Sequence, residues 1–248
     1  MANIIKAWKK FISTGKLEPG AVRSEIADSW RRCYAAGVNP WDGTSHQILD
    51  SQQVEELCRQ HQDLIDIAHP FMSRLYKFVA GSRFIVILAD ERGYIMDILG
   101  DDDTLDNASQ LNLIVGSGWM EEKVGTNGVG TALKLQRPMQ ISGPEHYCHN
   151  VHNWTCSAAP IFNDNGQIIS VLQLSGPSRE AHLHTLGMVV AAAEAISDQI
   201  RIKRQNRELI ILNNRLLDIF QTVSDGAIII NKRAMITHVN PIAEQIIG

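Results

Sequence analysis

The sequence is poor in the features that mark several common classes of protein. Its 248 residues include only four cysteines, unevenly spaced and without a Cys-x-x-Cys pair: Cys33, Cys58, Cys148 and Cys156. This usage argues against a disulfide framework and is typical of a reducing compartment, so we expect free thiols. No stretch approaches the roughly 18 consecutive apolar residues of a membrane-spanning helix, and the first residues lack the apolar run of a signal peptide. We therefore expect a cytoplasmic protein that does not contact a membrane.

An excess of charge of one sign is also lacking. The 23 basic and 27 acidic residues leave a formal net charge of -4, so no domain-wide positive field exists to hold a nucleic-acid backbone. DNA binding, if the protein carries it out, must lie in another domain. Hydrophobic residues make up 44% of the chain and charged residues 20%, which indicates an ordinary globular protein with one good core.

Catalytic signatures are missing as well. The sequence has no Gly-x-Ser-x-Gly elbow, no His-Glu-x-x-His helix and no nucleophile with an orienting partner, so we predict that this chain is not an enzyme. The Gly-Thr-Asn-Gly-Val-Gly-Thr segment at residues 125–131 resembles a phosphate loop only superficially. It lacks the Lys-Ser/Thr ending of a P-loop and the Gly-x-Gly-x-x-Gly spacing of a dinucleotide loop. We interpret it as a turn that opens a helix over residues 129–135, and we predict no cofactor.

Hydrophobic periodicity predicts helices at both ends of the chain and a sheet between them. Residues 1–37 have two helical stripes ended by Gly37, and residues 54–75 continue as one long helical pattern. Five apolar, β-branched runs then predict strands at residues 83–89, 94–100, 138–142, 154–162 and 167–175, with two of the turns rich in Asn, Asp and Gly. The predicted fold class is α+β, with a helical hairpin, an antiparallel sheet and flanking helices.

A long helix is predicted over residues 186–220, and part of it has a coiled-coil pattern. Apolar residues recur every seven positions at Ala195, Ile202, Leu209, Leu216 and Val223. Two further apolar residues, Leu212 and Ile219, lie at the intervening heptad positions. This spacing predicts a homodimer through residues 195–223, although a helix packed on its own domain remains an alternative. Residues 225–248 predict a strand, a turn, a strand and the start of a helix. Because two strands cannot bury a core, we expect further chain beyond Gly248.

The densest group of polar, metal-ligating side chains lies at residues 145–156. Imidazole and thiolate groups bind zinc, iron or copper, so this segment could form a metal or redox site. However, His149 and His152 are closer in sequence than the usual paired histidine ligands of structural zinc sites. The other reading is that these side chains line a ligand pocket and form hydrogen bonds there.

Several motifs in a fixed order resemble one family. Ile-Ala-Asp-Ser-Trp-Arg-Arg-Cys at residues 26–33, the glycine segment at 122–133, and the segments at 143–147 and 152–161 resemble the N-terminal sensor region of acetoin-catabolism-type sigma-54-dependent transcriptional activators. The resemblance implies a helical region at 1–50, a GAF-like sensor domain at 51–200, a coiled-coil linker at 201–223 and the truncated beginning of a PAS domain at 224–248. It further implies that DNA, ATP and sigma-54 RNA polymerase are contacted only through absent AAA+ and DNA-binding domains.

The resemblance also implies a small-molecule effector that binds in the GAF-like pocket. We expect six residues to contact it, namely Trp119, Glu145, His146, Tyr147, His152 and Trp154, with no bound metal. The alternative function is a redox or metal sensor that uses the segment from His146 to Cys156. Acetoin is suggested by the family, but a few pocket side chains decide between related diols, ketones, alcohols and aromatics.

Overall fold

The computed structural model describes residues 2–248. The chain divides into two compact units, one extending to Ile200 and the other from Arg201 to Gly248. In the first unit, α1 (Ala2–Thr14) and α2 (Ser24–Ala35) form the predicted N-terminal helices. Gly37 adopts a φ of 72°, a left-handed conformation that favours glycine and ends the α2 segment.

The helical pattern at residues 54–75 belongs to two helices rather than the one predicted. These are α3 (Ser51–Gln60) and α4 (Gln62–Val79), and they are joined at His61. Asp50 begins α3 with a capping box, in which its side chain accepts a hydrogen bond from the Gln53 backbone N–H. The apolar spacing continues across the break, so periodicity alone could not locate it.

The sheet has the five antiparallel strands that the sequence predicts. They are β1 (Ile85–Asp90), β2 (Ile95–Gly100), β3 (Met139–Ser142), β4 (Trp154–Phe162) and β5 (Ile168–Pro177). Their order across the sheet is β2-β1-β5-β4-β3, and every neighbouring pair is antiparallel. The α+β prediction is therefore confirmed as a mixed fold of helices and antiparallel sheet.

Helices cover both faces of this sheet. In β1, Val86 and Leu88 face a core shared with α4 and α8 (Leu183–Thr222), whereas Ile85 and Ile87 face the opposite core. The second core is closed by α5 (Asp102–Ser109), α6 (Glu121–Val124) and α7 (Gly128–Leu135). Burying each of these side chains contributes about 1.5–3 kcal/mol, so the alternation of side chains along β1 stabilises both layers.

The second unit contains the predicted strand, turn, strand and helix after the end of α8. These are β6 (Ile228–Ile230), β7 (Ile236–Val239) and α9 (Pro241–Ile247). Asn240 caps α9 by accepting from Ala243 N at 2.9 Å, and it also accepts from Ala227 N at 2.8 Å. Over residues 2–248, no helix combines the length and the apolar character needed to cross a lipid bilayer.

Candidate functional site

A small closed cavity lies between the sheet and the layer formed by α5, α6 and α7. Its volume is about 20 Å³, which is room for one water molecule. Most of its lining is apolar, and the lining residues are Leu111, Leu113, Trp119, Val124, Asn127, His146, Val151, Trp154, Cys156, Gln173 and Ser175. This combination of an apolar wall and a few polar groups is typical of a small-molecule site, although the volume is far below that of an open pocket.

The glycine-rich segment forms one wall of the cavity. Asn127 caps α7, because its Oδ1 accepts from Gly130 N at 2.9 Å while its Nδ2 donates to Gly125 O at 2.8 Å. A Cβ atom on Gly128 would lie 2.0 Å from Gln173 Oε1, so glycine is needed for this close approach. The segment is therefore the helix-opening turn that the sequence predicts.

A chain of three polar side chains crosses the strand side of the cavity. Gln173 Nε2 donates to Ser175 Oγ at 2.8 Å, and the Ser175 hydroxyl donates to Cys156 Sγ at 3.3 Å. Gln173 is only 3% exposed. Its Oε1 has no hydrogen-bond partner in the part of the chain that the structure describes. A buried acceptor without a partner is costly.

His146 supplies a second buried acceptor. Its Nδ1 lies 3.0 Å from Gly143 O, and burial lowers the pKa of the ring to about 4, so the imidazole is neutral. Because a carbonyl oxygen only accepts, Nδ1 carries the proton and Nε2 presents its lone pair. Among residues 2–248, this Nε2 atom finds no hydrogen-bond partner.

The N-terminal helices hold the loop that carries His146. Trp8 Nε1 in α1 donates to Tyr147 O at 2.7 Å, and Trp30 Nε1 in α2 donates to Glu145 O at 2.8 Å. The two tryptophans therefore bind the carbonyl groups of the residues before and after His146. Each side chain is also fully buried in a shared aromatic and aliphatic cluster, so the loop is fixed by packing as well as by hydrogen bonds.

A buried carboxylate joins α2 to the other side of the cavity. Glu121, which is 2% exposed, accepts two hydrogen bonds from Arg32, at 2.8 and 3.0 Å, and one from the hydroxyl of Ser29. Thr131 in α7 donates to the same carboxylate at 3.2 Å. Glu121 thus connects the N-terminal helices with α7, next to the cavity residues Val124 and Asn127.

Comparison with known proteins now identifies the family. Residues 2–200 match the MimR N-terminal domain family. The chain belongs to this family. It is 33% identical over 211 residues to the acetoin dehydrogenase operon transcriptional activator AcoR of Bacillus subtilis, covering 85% of this chain and 35% of AcoR. It is 34% identical over 215 residues to a signal-transduction and transcriptional-control protein of Clostridium beijerinckii, covering 87% of this chain and 34% of that protein.

These relatives are regulators, so this MimR N-terminal domain is a sensor domain of the transcriptional-activator type. The resemblance to activators of acetoin catabolism is thereby confirmed, and the chain spans about a third of the length of these two relatives. The fold is also similar to that of DhaR in the crystal structure of the Escherichia coli DhaR(N)-DhaL complex. That match has a TM-score of 0.85 at 20% identity and covers 90% of this chain and 76% of that one.

Three of the six expected ligand residues of this MimR N-terminal domain line the cavity, and three do not. Trp119, His146 and Trp154 are part of its wall. The other three, Glu145, Tyr147 and His152, lie outside it. Glu145 forms two 2.8 Å hydrogen bonds with Arg23, and the buried Tyr147 packs with the N-terminal helices. The His152 ring lies 4.9 Å from that of Trp8, and burial lowers its pKa to about 4.

The sequence analysis missed the polar residues that the sheet and the α7 cap bring to the cavity. Gln173 and Ser175 lie in β5 and Asn127 precedes α7, whereas Cys156 was considered only as part of the alternative metal or redox segment. One signal was available, because a glutamine in the middle of an apolar strand requires a buried hydrogen-bond partner. Periodicity alone did not show which face of β5 carries that residue.

The geometry of this family member does not favour the redox or metal alternative. Burial raises the pKa of the Cys148 thiol to about 12 and that of Cys156 to about 11, so both are neutral thiols at neutral pH, whereas a reactive redox cysteine has a lowered pKa. Within residues 2–248, the group of potential ligands close enough to share a metal ion is His61, Asp90 and Glu91, which lies outside the segment from His146 to Cys156.

An open cleft of about 790 Å³ adjoins the closed cavity. Its rim is polar and includes Asp103, Asn107 and Arg179. Leu111 and Trp154 line both spaces, so these two side chains form the partition between them. A molecule that entered the cavity from the cleft would have to displace this partition.

Proposed function

We propose that this sensor domain binds a small neutral metabolite in the closed cavity and relays its presence to the rest of a transcriptional activator. The observation that carries the proposal is a pair of buried acceptors without hydrogen-bond partners, His146 Nε2 and Gln173 Oε1, on two side chains that line a mostly apolar cavity. A ligand that donates to them would remove the cost of two unpaired polar groups. The protein would act as a regulator and not as an enzyme.

The small volume of the cavity implies that ligand binding requires a conformational change. Because about 20 Å³ admits only a water molecule, a metabolite must widen the site by displacing Leu111 or Trp154. Ligand binding would then select a minor, open arrangement of the partition. A difference of about 1–3 kcal/mol in ligand affinity between the two arrangements is enough for a 5- to 150-fold response.

The helix α8 offers a route for the relay. It packs under the sheet through Val189, Ala193 and Ile196, and its bounds extend to Thr222. Apolar residues at the heptad positions of the second unit are exposed, with Leu209 62%, Leu212 53% and Leu216 56% exposed. We infer that a second copy of the chain covers this stripe in a coiled coil. Sigma-54 RNA polymerase, DNA and ATP would be contacted by AAA+ and DNA-binding domains elsewhere in the full-length activator.

The proposed dimer predicts a change in mass on substitution within the stripe. We expect the chain to sediment as a dimer, and the double variant Leu212→Asp, Leu216→Asp to sediment as a monomer, because two like charges would face each other at each position. The matched control is Asn213→Asp, Asn214→Asp, which adds the same charge at other positions of the helix. A dimer that persists in the leucine variant would contradict this mode of assembly.

The proposed ligand site predicts thermal stabilisation by one chemical class of metabolite. We expect a panel of small diols, alcohols, ketones and aromatics to contain a compound that raises Tm, because a ligand at 100 Kd stabilises the native state by about 2.7 kcal/mol. Trp119→Ala should abolish the shift. The control is Trp41→Ala, since Trp41 is 57% exposed and lies outside the cavity. If no compound in the panel raises the Tm of the well-folded chain, the proposed function is wrong.

A further inference from the structure

We propose that the cavity selects ligands by their hydrogen-bond donors, so that a neutral hydroxyl compound binds ahead of the ketone or carboxylate of the same size. The inference rests on the proposed function, since it concerns the ligand class of the same site. It follows from two buried side chains that line the cavity, His146 and Gln173, because each carries a hydrogen-bond acceptor without a partner.

The polarity of His146 is fixed by its contact with the loop. Gly143 O, 3.0 Å from Nδ1, can only accept, so Nδ1 must donate and Nε2 must accept. The ring is 1% exposed, and protonating it would place a charge in an apolar wall. The imidazole therefore offers the ligand an acceptor and no donor.

The Gln173 amide is oriented by its neighbours in the sheet. Its Nε2 donates to Ser175 Oγ at 2.8 Å, and the Ser175 hydroxyl donates to Cys156 Sγ at 3.3 Å. That arrangement turns Gln173 Oε1 away from Ser175 and leaves it as the acceptor. The other amide in the wall, Asn127, already uses its oxygen and its nitrogen on the backbone of the glycine segment.

The remaining wall decides the charge of the ligand. Of the described residues that line the cavity, none is Asp, Glu, Lys or Arg, so no side chain neutralises a charged ligand. A carbonyl or carboxylate oxygen placed against two lone pairs would leave both acceptors unpaired. A hydroxyl group satisfies one acceptor, and a diol or a single trapped water molecule can satisfy both.

Matched pairs of probes test this selection on the unsubstituted protein. Calorimetric titration would compare acetone with isopropanol, and diacetyl with acetoin and with the diol formed by reducing acetoin. We expect the hydroxyl member of each pair to bind at least about tenfold more tightly, because a site built around a substrate hydroxyl rejects the analogue that lacks it. Equal or tighter binding of the ketones would overturn the inference and leave the proposed function intact.

A substitution locates the selection in the side chain of Gln173. In Gln173→Met, which keeps the length of the side chain, the preference for hydroxyl compounds should fall several-fold while ketone binding is retained. The control is Gln140→Met in β3, because Gln140 is outside the cavity and should keep the full preference. An unchanged preference in a folded Gln173→Met variant would refute the role of Gln173. If that variant does not fold, the matched pairs on the unsubstituted protein still decide the inference.

Discussion

Replacing Glu121 by alanine is expected to lower the free energy of unfolding by about 2–4 kcal/mol. The substitution leaves the Thr131 hydroxyl without its acceptor, leaves the Ser29 hydroxyl with only Thr126 as a partner, and removes the carboxylate from Arg32. Removing one partner of a buried ion pair usually costs about 3–5 kcal/mol. We expect the smaller loss of about 2–4 kcal/mol because the Arg32 side chain is 31% exposed, so water can hydrate part of its charge.

The matched control for Glu121 is its neighbour. Glu122 is exposed in the same short helix, so Glu122→Ala should change stability by less than about 0.5 kcal/mol. Urea unfolding of both variants, followed by fluorescence, measures the difference. Equal midpoints for the two variants would show that the buried carboxylate does not hold the N-terminal helices to α7.

Replacing Gly130 by alanine is expected to destabilise the chain by more than about 3 kcal/mol or to prevent folding. Helix propensity alone predicts the opposite sign, since alanine is favoured over glycine in a helix by about 1 kcal/mol. Packing decides the outcome, because the new Cβ would lie 2.5 Å from Glu121 N and 2.6 Å from Trp119 O. Both of these are backbone atoms, so the segment before α7 would have to move, and Trp119 with it.

A second glycine separates the effect of helix propensity from the effect of packing. Gly187 lies in α8, and no described atom comes within 4 Å of the position its Cβ would occupy. Gly187→Ala should therefore stabilise the chain by about 0.5–1 kcal/mol. Opposite signs for the two substitutions, measured by thermal and urea unfolding, are the expected result. A stabilised Gly130→Ala variant would mean that α6 and α7 are not in close contact.

The fold was more predictable from the sequence than the site was. Strand β4 has the predicted bounds, Trp154–Phe162, because apolar, β-branched runs and the Asn/Gly turn after it are local signals. The division between α3 and α4 was not predicted, because the apolar spacing runs on across His61. The cavity depends on which side chains of β4 and β5 face α7, and that register is a tertiary property.

Glu145 and Tyr147 lie outside the cavity wall for a different physical reason. Sequence analysis assigns roles to side chains, whereas these two residues contribute to the site through their backbone carbonyl groups. Every residue type has a backbone carbonyl group, so no sequence motif could reveal which carbonyl groups accept these hydrogen bonds. The partners of these carbonyl groups, Trp8 and Trp30, are distant in sequence, so only the tertiary structure brings them together.

The hydrogen bonds from Trp8 and Trp30 have a consequence for protein engineering. A biosensor assembled by grafting residues 51–200 onto a new output module would leave behind both indole donors and the helices that carry them. The graft would keep all the residues that line the cavity but would lose the hydrogen bonds and packing that hold the loop carrying His146. Designers who wish to reuse this domain should therefore keep its first 37 residues together with the part that contains the cavity.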